Sequence, residues 1–391
     1  MITYIVESTV RIVLLVYALL YRTFAKVDEH KIICWSYLYS NYSCNPRALT
    51  EYVLSQDQNV YKVVWAFKHK ENFTGVDKRI KCVICRTIDY IHELYTSKYI
   101  ISNMRSGCVL DTFFVKRKNQ KYIMTWHGGF PLKKIEADAV DSLQSSYIRE
   151  AKFDSSMCDL MISNSKMFTR RIKDAFWYEG EILEEGLPRN DIFYKKDQIS
   201  SICYKIKKEL NIPQDSKIVL YAPTFRNNSN SLEYYNINWD NVMPSLRKFL
   251  GGEVVVLVRL HPNMSSMPNI DSLCNYDNVI NITSAPDITP YLCSANMFIS
   301  DYTSAMFDYI ILNMACFIYA TDINTYDRGF YYKIKDLPFP IAEDEEQLIN
   351  NISQFSYSIQ TQRIKKFVTQ EWGLKEEGKA SEKLFEWIKR H

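Results

Sequence analysis

Short apolar runs recur along this chain with helical stretches between them, the alternation that parallel sheets covered by helices require. In the first half the runs fall at 31–35, 61–67, 99–102, 122–125 and 160–163; in the second at 217–221, 254–260, 279–282, 297–300 and 316–320. The unbroken Val/Leu character of the run at 254 predicts a strand buried on both faces. Residues 45–54 read as a helix with Pro46 in its first turn, where a missing N–H costs nothing. Residues 242–250 read as another, closed by Gly251-Gly252. The stretch 194–216 is polar, Lys-rich and poor in strand signals, which places a domain junction there. Neither an internal repeat nor a low-complexity tract is visible. The expected architecture is α/β, two Rossmann-type domains facing across a cleft, with ligands beyond the carboxyl ends of the strands. The expected divisions are 1–30, an amphipathic segment; 31–195, the first domain; and 196–391, the second domain with C-terminal helices.

Residues 10–20 are apolar apart from Arg11, too short a run to span a bilayer and without a small-residue cleavage site. With Arg22 and Lys26 they suit a helix in the interface of an anionic membrane, or an ordinary amphipathic helix docked on the first domain. Net charge is +3, and the basic run Lys116-Arg117-Lys118 is local, so charge does not imply nucleic acid. Ten cysteines, many inside apolar runs, fit reduced thiols of a cytoplasmic protein. Cys82 and Cys85 form a lone CxxC with no second pair nearby, so no metal or cofactor is expected.

The unusual residues cluster just after the predicted strands. Thr125-Trp126-His127-Gly128-Gly129 is followed by Phe130-Pro131-Leu132-Lys133-Lys134. A histidine on a Gly-Gly turn can approach a substrate closely, and imidazole suits a general base near neutral pH. The bland alternative is a structural histidine at a strand end. In Arg259-Leu260-His261-Pro262, Arg259 and His261 are two apart and would point the same way from an extended strand, a phosphate clamp ended by Pro262. After the run at 297, Thr303 and Ser304 open a helix whose free amides would hold an anion, or simply cap it. Asp308 lies one turn further on the same face. Arg226 and Arg189 suit either phosphates or surface ion pairs. The chain has no GxxxxGK[ST], no GxGxxG after a strand and no Asp-x-Asp pair. Phosphate charge would therefore be handled by His, Arg, Lys and helix N-termini.

In order and spacing, the chain from about Lys31 to its end resembles the CDP-glycerol glycerophosphotransferase family, the teichoic-acid primases and polymerases. The matching residues are Tyr42-Ser43-Cys44-Asn45-Pro46, Thr125-Trp126-His127-Gly128 with Pro131-Leu132-Lys133-Lys134, and Pro188-Arg189-Asn190-Asp191. They continue with Tyr221-Ala222-Pro223-Thr224-Phe225-Arg226, Arg259-Leu260-His261-Pro262, residues 300–309, and Tyr326-Asp327-Arg328-Gly329-Phe330-Tyr331. One departure is visible: Gly129 and Phe130 stand where family members often carry a small hydroxyl residue.

The resemblance implies a GT-B-like fold with a CDP-polyol donor held by the second domain. It also implies a peripheral protein on the cytoplasmic face of the membrane. The N-terminal helix would reach a polyprenyl-linked saccharide or polyol-phosphate acceptor. An acceptor hydroxyl would attack the distal phosphorus and CMP would leave. His127 and His261 become the expected catalytic residues, with His127 the base. Arg226, Arg259, Thr303, Ser304, Asp308 and Arg189 become the expected donor-binding set, and Gly128, Gly129 and Lys133 the acceptor-side turn. Glycerol and ribitol both fit, in wall polymer or capsule, by single or repeated addition and in any oligomeric state. The rivals are a nucleotide-sugar transferase on the same fold and a non-catalytic polymer-binding module.

Overall fold

The strands form wherever apolar runs are long enough to be buried on both sides. They are β1 (Asp28–Trp35), β2 (Lys62–Phe67), β3 (Lys81–Ile84), β4 (Ser97–Ser102), β5 (Lys121–Met124), β6 (Leu160–Ser163) and β7 (Glu181–Glu184). A second set is β8 (Lys217–Tyr221), β9 (Val254–Val258), β10 (Val279–Asn281), β11 (Met297–Ser300), β12 (Ala315–Tyr319) and β13 (Ile341–Ala342). The computed structural model describes residues 2–56, 60–226, 232–261, 264, 267, 269–323, 326 and 329–391, with side chains from residue 9 onward. The motif residues Pro262, Asp327 and Arg328 lie outside the described residues.

Each set makes one sheet, ordered β3-β2-β1-β4-β5-β6-β7 and β10-β9-β8-β11-β12-β13. Every pairing is parallel. In both sheets the strand order reverses beside the first strand, between β1 and β4 and between β8 and β11. That is the position where open sheets of this kind leave a crevice for ligands. All ten expected strands are present. The three unexpected ones, β3, β7 and β13, are all edge strands. An edge has only one neighbour and tolerates charge, as Lys81, Glu181 and Glu184 show, so its sequence need not be continuously apolar.

Chain contacts divide the protein into two units. The first is Met1–His127, Ile135–Asp191 and Leu374–His391; the second is Gly128–Lys134 and Ile192–Gly373. In the first, β1 sends Ile33 and Trp35 to one core and Ile32 and Cys34 to the other, so no polar face interrupts the run. The expected division assigned everything after 195 to the second domain, and here the structure differs. Helix Ala380–Arg390 packs Leu384, Phe385, Trp387 and Ile388 into a core of the first unit. Both Asp191 carboxylate oxygens cap it, accepting from the N–H groups of Ala380 and Ser381 at 2.8 Å each. Such a cap stabilises a helix by about 1 kcal/mol. The polar stretch read as a junction is the helix Lys196–Glu209 of the second unit.

The N-terminal helix is Ile2–Phe24. One face docks on the first unit: Ala18 is fully buried, with Leu14, Leu15, Tyr17 and Tyr21 packed around it. Tyr17 Oη lies 2.6 Å from His92 Nε2, and Arg22 donates to the carbonyls of Val115 and Lys116. The opposite face carries Ile12, Val13, Val16, Leu20 and Phe24, which are 51–83% exposed. Among the described residues no helix is long and apolar enough to cross a membrane.

Candidate functional site

In the first unit, His127 follows β5, the second strand beyond the order reversal. Its Nδ1 lies 3.0 Å from the carbonyl oxygen of Asn103. A carbonyl only accepts, so the proton sits on Nδ1 and the lone pair on Nε2. Burial lowers the His127 pKa to about 4; the Arg189 charge pushes the same way, while the Asn103 contact opposes. The residue as a whole is half-buried. Its imidazole is therefore neutral at pH 7. Trp126, whose ring lies 4.4 Å from that of His127, has φ +52, in the left-handed region that bulky residues avoid.

Arg189 sits in this unit beside His127. Its Nη1 donates to the His127 carbonyl at 2.5 Å and approaches Cys44 Sγ at 3.5 Å. The structure places it in the first unit, apart from Arg226 and Arg259 of the second, with its side chain on the histidine turn. Its neighbours Asn190 and Asp191 anchor the C-terminal segment, Asn190 through Glu376 at 2.8 Å.

The second unit gathers the remaining residues. Strand β9 ends at Val258, so Arg259 and His261 leave it in a loop and strand alternation is not what pairs them. The Arg259 main chain is tied to Tyr221 at 2.8 Å and its Nη2 to the Ala285 carbonyl at 3.0 Å. Burial, followed by the charges of Arg259 and Lys133, lowers the His261 pKa. The two cations disfavour a further positive charge on the His261 ring.

Lys133, expected on the acceptor side, belongs to this second unit. The segment Gly128–Lys134 is sewn into it. Lys134 N–H donates to Gly329 O at 2.8 Å, Tyr331 N–H to Leu132 O at 2.9 Å, and Lys133 bridges Phe330. Lys133 Nζ lies 5.8 Å from the Tyr326 ring. Phe130, the departure from the family pattern, is a core residue stacked on Phe307 with centroids 3.8 Å apart. Gly129 is buried in the same segment. A methyl group on Gly128 would stand 3.1 Å from Ser304 Oγ, so a side chain there would push the Ser304 hydroxyl back by a few tenths of an ångström.

After β11, Thr303 Oγ1 accepts from the Ala305 N–H at 3.2 Å, while Ser304 makes no cap bond. The helix they precede, Ala305–Tyr309, is five residues long, and Asp308 is buried in it. Its dipole is correspondingly short. Any anion here is held by hydroxyls and local amides.

Arg226, in the second unit, is engaged by carboxylates. It is buried, paired to both carboxylate oxygens of Asp322 at 2.6 and 3.0 Å and to Asp301 at 2.8 Å. The rings of Tyr302 and Tyr326 lie 5.0 and 5.1 Å from the guanidinium. Burial opposes its charge, but Asp322 and Asp301 outweigh that and raise its pKa. With two carboxylates on it, Arg226 ties the loop after β8 to Asp301 and Asp322. Sequence reading missed Asn103 and Asp322. Asp301 stands inside the quoted run 300–309 but was given no role; Asp322, 96 positions from its partner, gave no signal.

A family model described as CDP-Glycerol:Poly(glycerophosphate) glycerophosphotransferase matches residues 15–390. The chain is 30% identical over 386 residues to a teichoic acid poly(glycerol phosphate) polymerase of Bacillus spizizenii, covering 95% of each. It is 27% identical over 346 residues to a teichoic acid ribitol-phosphate primase of the same organism, covering 81% of this chain and 87% of that one. Among solved structures, the wall teichoic acid polymerase TagF superimposes with a TM-score of 0.79 at 30% identity, over 93% of this chain and 89% of that one. One TagF variant structure was soaked with CDPG.

Proposed function

Because the chain belongs to the CDP-glycerol:poly(glycerophosphate) glycerophosphotransferase family, we propose that it transfers a polyol phosphate from a CDP-polyol to a hydroxyl of a lipid-linked acceptor in teichoic-acid or capsule-like polymer synthesis. The observation that carries this reading is the setting of His127, whose Nδ1 lies 3.0 Å from the Asn103 carbonyl and so leaves Nε2 to act as a base. The acceptor hydroxyl gives its proton to Nε2 as its oxygen bonds to the distal phosphorus. The bond from that phosphorus to the bridging oxygen breaks, and CMP departs with the electron pair. In the second unit Arg259 and Lys133 supply positive charge and His261 a hydrogen bond to the pyrophosphate. Thr303 and Ser304 add hydroxyls. Such transfers depend on positioning and electrostatics, since the protein forms no covalent bond.

The exposed apolar face of helix Ile2–Phe24 supports a peripheral position on the cytoplasmic face of the membrane, where a lipid-linked acceptor resides. The test is CMP release from purified protein given CDP-glycerol, CDP-ribitol or a nucleotide sugar with a lipid-linked acceptor. The expected result is CMP from a CDP-polyol, lost in His127→Ala. Diphosphate release from the sugar alone would overturn the reading.

A further inference from the structure

Asn45 has no role above, although it stands in one of the quoted motifs. It is fully buried, the second residue of helix Cys44–Gln56. Its polar contacts go to the two segments that hold His127. Nδ2 donates to the carbonyls of Thr125 at 3.3 Å and Trp126 at 3.0 Å. Oδ1 accepts from the main-chain N–H of Arg189 at 3.1 Å. Arg189 then donates from its side chain to the carbonyl of His127. The carbonyls of three consecutive residues, 125 to 127, are thus fixed by Asn45 and by the residue Asn45 anchors.

The turn needs such a clamp. Trp126 adopts a left-handed φ of +52, a conformation side-chain bulk disfavours and surrounding structure must hold. If the 126–127 peptide rotated, the His127 ring would leave the Asn103 carbonyl that keeps the proton on Nδ1. We propose that Asn45 is a positioning residue for His127, clamping the turn so that Nε2 is presented as the base. The proposal rests on the reading of His127 as the general base. An apolar side chain of similar size would fill the same space but leave three main-chain groups without these partners, which is what separates positioning from packing.

Two variants test it. Asn45→Ala removes every contact. Asn45→Asp keeps the shape and the acceptor for Arg189 but sets an anionic oxygen against two carbonyls. In both, kcat for CMP release should fall by about 10²-fold with KM for the CDP-polyol unchanged, the effect of a small misplacement of a reacting group. NMR of isotope-labelled histidine rings, of which there are six, should show His127 losing its Nδ1-protonated signature and titrating closer to an ordinary histidine. Near-normal kcat in folded Asn45→Asp, or His127 signals identical to the parent's, would overturn the proposal. So would a parent His127 protonated on Nε2, a measurement that stands even where Asn45→Ala does not fold. Normal turnover in His127→Ala would instead sink the base assignment, and the ring signals would still judge Asn45.

Discussion

The two units share a strand order but surround their histidines differently. In the first, the loop after β5 is held by hydrogen bonds to main-chain groups: His127 to the Asn103 carbonyl, the Asn45 amide to two carbonyls, and the Arg189 guanidinium to a third. The outcome is one uncharged imidazole. In the second, cations crowd the carboxyl ends of the strands, and Arg259 and Lys133 both bear on His261. There Arg226 is paired with Asp301 and Asp322. An arginine beside a strand end therefore says little about phosphate until its carboxylate partners are known.

The largest expected effect tests the first unit. His127→Ala should lower kcat by about 10²–10⁴, the range for a general base, while donor affinity measured by calorimetry stays within twofold. Equal losses in binding and turnover would move His127 from base to donor ligand. Next comes the contrast between two second-unit residues. Asp322→Ala takes one of two carboxylates from a buried guanidinium and leaves it to Asp301, which should cost about 2–3 kcal/mol of stability in denaturant unfolding. Arg259→Ala should leave stability nearly unchanged and weaken CDP-polyol binding by about 10- to 100-fold, the loss of one charge-assisted hydrogen bond. If Arg259→Ala unfolds the protein and Asp322→Ala abolishes only binding, the roles assigned to the two arginines are reversed.

The same contrast explains what the sequence made legible. Interior strands announced themselves because β1, β9 and β12 are buried on both faces and carry no polar alternation. β13, two residues long at an edge, carries almost no pattern. The two histidines were legible because each follows such a run. The work done by Arg226 and Arg189 was not, since it depends on partners 96 and 62 positions away. The placement of Lys133 was hidden for the same reason: the segment 128–134 bridges residues 329–331, far along the chain.

A smaller effect concerns the N-terminal helix. Its docked face is tied to His92 and Val115, so substitutions on the opposite face should leave the fold alone. Val13→Asp with Val16→Asp removes two apolar side chains from a lipid surface, each contributing about 1.5 kcal/mol when buried. Binding to anionic vesicles should weaken by roughly 10²-fold, read by co-sedimentation, with turnover on a soluble acceptor unchanged. Vesicle binding that survives both substitutions would assign membrane contact elsewhere.

The smallest expected effect is nearly none, and it discriminates most finely. An ordinary histidine titrates near 6.5, whereas His127 is pushed down to about 4, chiefly by burial. The base form therefore persists until pH falls through about 4. As far as this group is concerned, kcat/KM should stay flat from about pH 7.5 to about 5.5, where an unperturbed histidine would already cost about tenfold. Stability behaves differently. The unfolded imidazole binds a proton below 6.5 and the folded one does not, so this group's contribution is complete above 6.5, declines as pH falls towards 4, and levels off below. Over that window the rate should hold while the unfolding free energy drops, and His127→Asn should remove the part of the drop that His127 causes. A kcat/KM limb centred near 6.5 would mean that His127 is charged as readily as a surface histidine. The uncharged imidazole assigned to the first unit, and with it the contrast with the second, would then fail.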